Sequence, residues 1–159
     1  MPDRIYELCA SLNIFVKPYI ISPVPRKPKT FPIELLFRAL ADRTRLRLLN
    51  LIADKEICVC YFVEILGMSQ PKISRHLAYL RRAGVVAARR QGRWMHYRLL
   101  APQDTVASTV LTETLAHLQQ LPDMQADRAR LDNQCCSPDT VVRLGQAPLP
   151  LALPGPAAG

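Results

Sequence analysis

Nowhere in these 159 residues do eighteen apolar residues run together, which excludes a transmembrane helix. The opening MPDRIYELCASLNIF has acids and early polar breaks where a secretory leader would have a basic start and a clean apolar stretch. The chain is therefore expected to stay in the cytoplasm. It has no C-x-x-C motif, no phosphate-cradling loop and no cysteine beside an anion nest. Those absences argue against an enzyme, a thiol oxidoreductase above all. The most telling absence is of acids, because from Ile65 to Arg98 there is no Asp or Glu.

That same stretch holds eight basic residues: Lys72, Arg75, Arg81, Arg82, Arg89, Arg90, Arg93 and Arg98. Its sum of +8 equals the net charge of the whole chain. About a quarter of residues are ordinarily charged, with the signs mixed. A merely solvated face does not account for one sign over 34 residues. With a pI near 9.6, the expected partner is a polyanion, double-stranded DNA before an acidic membrane surface. The 49% apolar content excludes wholesale disorder, and the length suffices for one domain with a core.

Proline marks the boundaries. Six of the fourteen prolines lie in residues 1–32 and five in 138–159, leaving Pro71, Pro102 and Pro122 between. Helix interiors exclude proline. The expected organisation is a flexible Pro-rich arm over 1–30, an ordered domain over 31–121, and a largely disordered tail over 122–159.

Within 31–121 the pattern is helical. Pro32 can open a helix through Leu40, and Asp42 is an N-cap candidate for RTRLRLLNLIA, with Leu46, Leu49 and Ile52 on one face. A third helix is expected from about Cys58–Cys60, with Val59, Phe62, Val63 and Leu66 at helical spacing and Gly67 ending it. Ser69 caps a fourth, with Pro71 in its first turn, Ile73, Leu77 and Leu80 inward, and Gly84 at its end. The tight Gly67-Met68-Ser69 connection makes these two a helix-turn-helix. Val85–Arg90 and Arg93–Leu99 read as a hairpin turning at Gln91-Gly92. A last helix spans 103–121, with Ala107, Leu111, Leu115 and Leu118 on a stripe read as the dimer interface. The fold class is thus mainly α with a small β-hairpin, a winged helix-turn-helix acting as a homodimer.

The outward face of the fourth helix carries Ser69, Gln70, Lys72, Ser74, Arg75, Ala78, Tyr79 and Arg82, with His76 beside it. Gln and Arg suit base edges, while Lys, Ser and a helix N-terminus suit phosphates. Arg89, Arg90 and Arg93 around Gly92 form a basic wing, and Trp94 and Tyr97 are expected to anchor the hairpin to the core. One such module covers little DNA, so two-fold dimers on inverted half-sites are expected.

The five cysteines are Cys9, Cys58, Cys60, Cys135 and Cys136. Structural disulfides are not expected in a cytosolic chain. A scattered cysteine is usually a small buried hydrophobe, a description that fits Cys9 better than the two close pairs. Thiolates select thiophilic ions. On a regular helix, residues two apart lie about 200° around the axis. The sulfurs of Cys58 and Cys60 would then point apart, and a shared ion would have to unwind the start of the third helix. The vicinal pair Cys135–Cys136 lies in a polar stretch where burial is not expected. It is read as a further ligand pair.

The segments LFRALADRTRLRLL, CVC, SQPKISRHL and GRWMHYRL, within 31–121, closely resemble the ArsR/SmtB family of winged-helix metalloregulatory repressors, and in particular its arsenite-responsive branch. The resemblance implies a homodimeric repressor of arsenic-resistance genes. As(III) or Sb(III), or an organoarsenical, would release it from operator DNA by binding cysteine thiolates, with no organic cofactor. The third thiol of one version of that site would fall at Val63, so Cys135 and Cys136 are the candidates for it and Cys9 the next. A zinc-type site on the terminal helix looks incomplete. Asp104 and His117 are present, but Val106 and Gln120 stand where ligands would be. The alternatives are a cadmium-, lead- or zinc-responsive repressor of the same family, or a thiol redox switch.

Overall fold

The computed structural model describes residues 31–135 and 148–153. Helix α1 (Ile33–Leu40) begins directly after Pro32 and buries Leu36 and Ala39. Helix α2 (Arg43–Leu51) is capped by Asp42, whose carboxylate accepts the Arg45 backbone N–H at 2.9 Å. The Arg45 side chain turns back to donate to the carbonyls of Ala39 and Arg38, which satisfies the end of α1.

Strand β1 (Lys55–Cys58) follows, and then helix α3 (Val59–Leu66). The sequence pattern had the helix absorbing Cys58. Instead the residue is extended (φ −70°, ψ 145°) and is the N-cap. Val63 is only half-buried, while Tyr61 and Ile65 take places in the core. Gly67 ends α3 in the left-handed region. Helix α4 (Gln70–Arg82) then buries Ile73, Leu77 and Leu80 completely, as the periodicity predicts. Ser69 is its N-cap by position, although its side chain makes no capping bond. At Gly84 (φ +76°) a Cβ would also meet the Phe31 ring at 3.2 Å, so this turn admits only glycine without strain.

The hairpin is β2 (Val86–Gln91) and β3 (Trp94–Leu99), paired from Val86↔Leu99 to Gln91↔Trp94. Its two-residue loop is Gly92-Arg93, one position later than expected. Strand β1 joins β3 antiparallel, with Ile57 opposite Tyr97 and Cys58 opposite His96. On the other edge of β1 lies β4 (Leu151–Ala152), giving the order β2-β3-β1-β4. Tyr97 packs edge-on against Phe62, and Trp94 is partly buried against the core, so both anchor the hairpin.

Helix α5 (Thr105–Leu118) is capped by Asp104, which accepts the Ala107 N–H. Its stripe of Ala107, Leu111, Leu115 and Leu118 is buried in the single chain. The stripe is therefore spent inside the protomer and is not the free dimer face expected of it. His117 is exposed in the last turn of this helix.

The expected end of the core at residue 121 is also corrected. Residues 122–135, assigned to a largely disordered tail, form helix α6 (Pro122–Cys135), which packs on α2 and α3. Met124 and Leu131 are buried. Pro122 is the first residue of this helix, where its missing N–H costs nothing, and does not act as a stop signal. Asp127, 1% exposed, takes both Nε and Nη2 of Arg47, and Asn50 donates to the Met124 carbonyl.

Candidate thiol site and nucleic-acid interface

The extended backbone at Cys58 decides the geometry of the thiol pair. One sulfur rides on the end of a strand and the other on the first turn of a helix, and they meet at 2.7 Å. The expectation that they point apart fails because it placed both residues on one helix. No unwinding is needed to bring them together. Cys58 is fully buried and Cys60 half-buried.

The thiol of Cys60 hydrogen-bonds to Cys58 and lowers the Cys58 pKa to about 7, against the opposing effect of burial. Backbone N–H groups of Cys60, Val59 and Met95 act in the same direction. Cys60 moves the opposite way, raised by holding that hydrogen bond, by burial and by the charge on Cys58. Near neutral pH the pair is thus one thiolate beside one thiol. This combination can attack a soft electrophilic centre and then close a second bond to it.

Among the described residues no group of three or more His, Cys, Asp or Glu is placed to hold a metal ion. Further ligands must come from elsewhere. Cys135 is the last residue of α6. Its side chain, along with Cys136 and Cys9, lies outside the described residues.

Helix α4 presents Ser69, Gln70, Lys72 and Arg75 to solvent, with Ser74 half-buried. Among the described residues Lys72, Arg75, Arg81, Arg82, Arg90 and Arg98 have no carboxylate partner. Uncompensated cations at this density attract phosphate. A shallow cavity of about 300 Å³ opens on this face, lined by Arg45, Lys72, Arg75, His76 and Tyr79.

Two expected contacts are more constrained than the sequence indicated. His76 is mostly covered, with Nδ1 3.5 Å from Asp42. Tyr79 is flanked by the guanidinium groups of Arg45 at 4.5 Å and Arg82 at 5.3 Å from its ring centroid. These cations occupy the ring, leaving the hydroxyl as its handle.

At the wing, Arg90 donates to the Gly92 carbonyl and Arg93 lies over Trp94. Arg89, counted with them from sequence, is turned the other way. It pairs with Glu56 of β1, a buried carboxylate 33 residues distant in the chain. Sequence reasoning missed both Glu56 and the buried His96. The signal available was an acid two residues before the first thiol.

The family model described as "Bacterial regulatory protein, arsR family" matches residues 42–88. The chain is 43% identical over 110 residues to the arsenical resistance operon repressor of Escherichia coli K12, covering 69% of this chain and 92% of that protein. It is 41% identical over 109 residues to the arsenic resistance transcriptional regulator ArsR2 of Pseudomonas putida KT2440, covering 64% and 95% respectively. Among solved structures, HlyU from Vibrio cholerae aligns at a TM-score of 0.47 and 32% identity, over 54% of this chain and 89% of that one.

Proposed function

From a chain that belongs to the arsR family of bacterial regulatory proteins, we propose a cytoplasmic transcriptional repressor that leaves its operator when As(III) or Sb(III) binds its thiols. The observation that carries this reading is the convergence of Cys58 and Cys60 at the N-terminus of α3, the helix on which α4 packs. A soft-ion site thus sits one helix away from the unpaired cations of α4.

In this reading Gln70 and Arg75 approach base edges, while Ser69, Lys72, Ser74 and His76 serve phosphates. Arg90 and Arg93 hold the flanking backbone. Tyr79, stacked between two arginines, positions them and offers its hydroxyl. Two copies bind inverted half-sites as a homodimer.

Cys58 supplies the first thiolate and Cys60 the second bond. Cys135, the last residue of a helix already fastened to α2 and β1 by ion pairs, or Cys136 next to it in sequence, adds the further thiol. When bound, the metalloid supplies a soft trivalent centre that ties these sulfurs together.

The test is fluorescence anisotropy of the reduced protein on its upstream DNA, titrated with arsenite, antimonite, methylarsenite, cadmium and zinc. Release by the trivalent metalloids, lost in the Cys58→Ser/Cys60→Ser double variant while DNA affinity is kept, is the expected result. Release by cadmium or zinc alone would move the chain to a divalent-metal function. Failure of all five, with reductant-dependent DNA binding, would make it a redox switch.

A further inference from the structure

Three strands place Cys58, His96 and Arg89 in one row across the sheet. Cys58 is directly opposite His96 in the β1–β3 pair, and His96 is directly opposite Arg89 in the β2–β3 pair. Residues in such a row share one face. Glu56, two residues before Cys58, lies on that face as well. Its carboxylate is buried and accepts both Nε and Nη2 of Arg89 on a single oxygen.

His96 fills the middle of the row. It is 3% exposed, with Nδ1 4.0 Å from Glu56 and Nε2 without a hydrogen-bond partner among the described residues. Burial first, and then the charge of Arg89, hold its pKa below the ordinary value. Among the described residues, Arg89 is the guanidinium that the Glu56 carboxylate holds.

We infer that Glu56 and Arg89 form a latch by which the thiol strand sets the position of the wing. The argument is mechanical and electrostatic. The strand that carries Glu56 ends at Cys58, so an ion taken up by Cys58 and Cys60 acts on the end of β1. Parting the buried Glu56 carboxylate from Arg89, its guanidinium partner among the described residues, is strongly disfavoured because it leaves a charge unpaired there. The pair therefore has two states, held or broken, and Arg89 is adjacent to Arg90 at the wing tip. In the held state the wing faces DNA. When the thiols take up an ion and β1 shifts, the pair breaks and the wing loses its orientation. Glu56 and Arg89 are positioning residues, since neither has to touch DNA or the metalloid.

This inference rests on the metalloid-repressor reading, and its test separates the two. The quantity measured is the ratio of operator dissociation constants with and without saturating arsenite. Metalloid uptake is followed independently by ultraviolet sulfur-to-arsenic absorption. Wild type should show a ratio of roughly 5–150-fold, the usual span of allosteric coupling. In Glu56→Gln and in Arg89→Gln the ratio should fall toward one while metalloid uptake persists, and the double variant should lose no more than either single one. Arg89→Lys, which keeps the charge and loses the fork, should recover part of the ratio.

A purely structural role would change melting temperature and leave the ratio intact. A readout that needs no variant is amide exchange of residues 88–94 in wild type, which arsenite should accelerate. An unchanged ratio in the variants, or unchanged wing exchange, overturns the latch while the repressor reading stands. Absence of release from wild type overturns both.

Discussion

Helices α4 and α6 are nearly equal in length, 13 and 14 residues, and both are polar and rich in arginine. Their charges are nonetheless in opposite condition. On α6 the charged groups are matched across the fold: Asp123 with Arg43, Asp127 with Arg47, Arg128 with Asp54, and Asp132 with Lys55. On α4, Lys72, Arg75 and Arg81 have no carboxylate within the described residues, and Arg82 turns to the Tyr79 ring. Matched charge fastens a helix to its neighbours. Unmatched charge is left for an external polyanion. Counting arginines along the chain does not separate the two, whereas asking where each partner lies does.

The largest effect that tests this contrast is on stability. Arg47→Ala strands the buried Asp127 carboxylate, leaving it only the longer contact to Arg130. The expected loss is about 3 kcal/mol of folding free energy, read from denaturant unfolding, with the operator contacts themselves untouched. A loss well under 1 kcal/mol would mean that α6 is held by its apolar residues alone.

Next comes the thiol pair, where charge is again set by a partner. The sign follows from the causes. Cys60 lowers the Cys58 pKa and burial raises it, so Cys60→Ala must move Cys58 upward from about 7. Returning to the ordinary thiol range near 8.5 or beyond is a change of at least about 2 kcal/mol. The low-pH component of the ultraviolet thiolate titration should disappear in that variant, and metalloid capture by wild type should speed up as pH rises through 7. A midpoint unmoved by Cys60→Ala would break the assignment.

On the unmatched side, Arg75→Ala should weaken operator binding by about 1–3 kcal/mol, selectively at one base position, with no change in melting temperature. If stability falls instead, Arg75 belongs with the arginines of α6. The smallest effect sharpens the rule: Asp132→Ala, which removes an exposed pair with Lys55, should cost no more than about 1 kcal/mol.

Much of this was legible from sequence wherever the determinants are local. Asp42, Gly67 and Gly84 mark ends of elements, and Ile73, Leu77 and Leu80 define the inner face of α4. The cations of α4 without a carboxylate partner among the described residues were legible because an acid-free run leaves few local partners. Reading failed where a partner lies far along the chain. Arg89 looked like its wing neighbours because Glu56 is 33 residues away, and α6 looked like tail because Arg47 is 80 residues from Asp127. The thiol geometry was hidden by a four-residue strand, too short to announce itself before the helical pattern that begins at Val59. One extended residue, Cys58, turns a divergent pair into a convergent one.

Strand β4 makes the free edge of β1 a peptide-binding slot that the chain fills with its own residues. Ala152 and Leu151 pair with Lys55 and Glu56, and the Leu153 N–H reaches the Asp54 carbonyl. Pro150 has no N–H to extend the ladder, so the occupant is short by construction. Being tethered, it is present at an effective concentration on the order of millimolar and outcompetes dilute strangers. Removing it, by truncation before Leu151 or by a fusion that pulls it away, opens the edge to strand exchange with other chains. A change that empties this edge would therefore be felt at Glu56, two residues from Cys58.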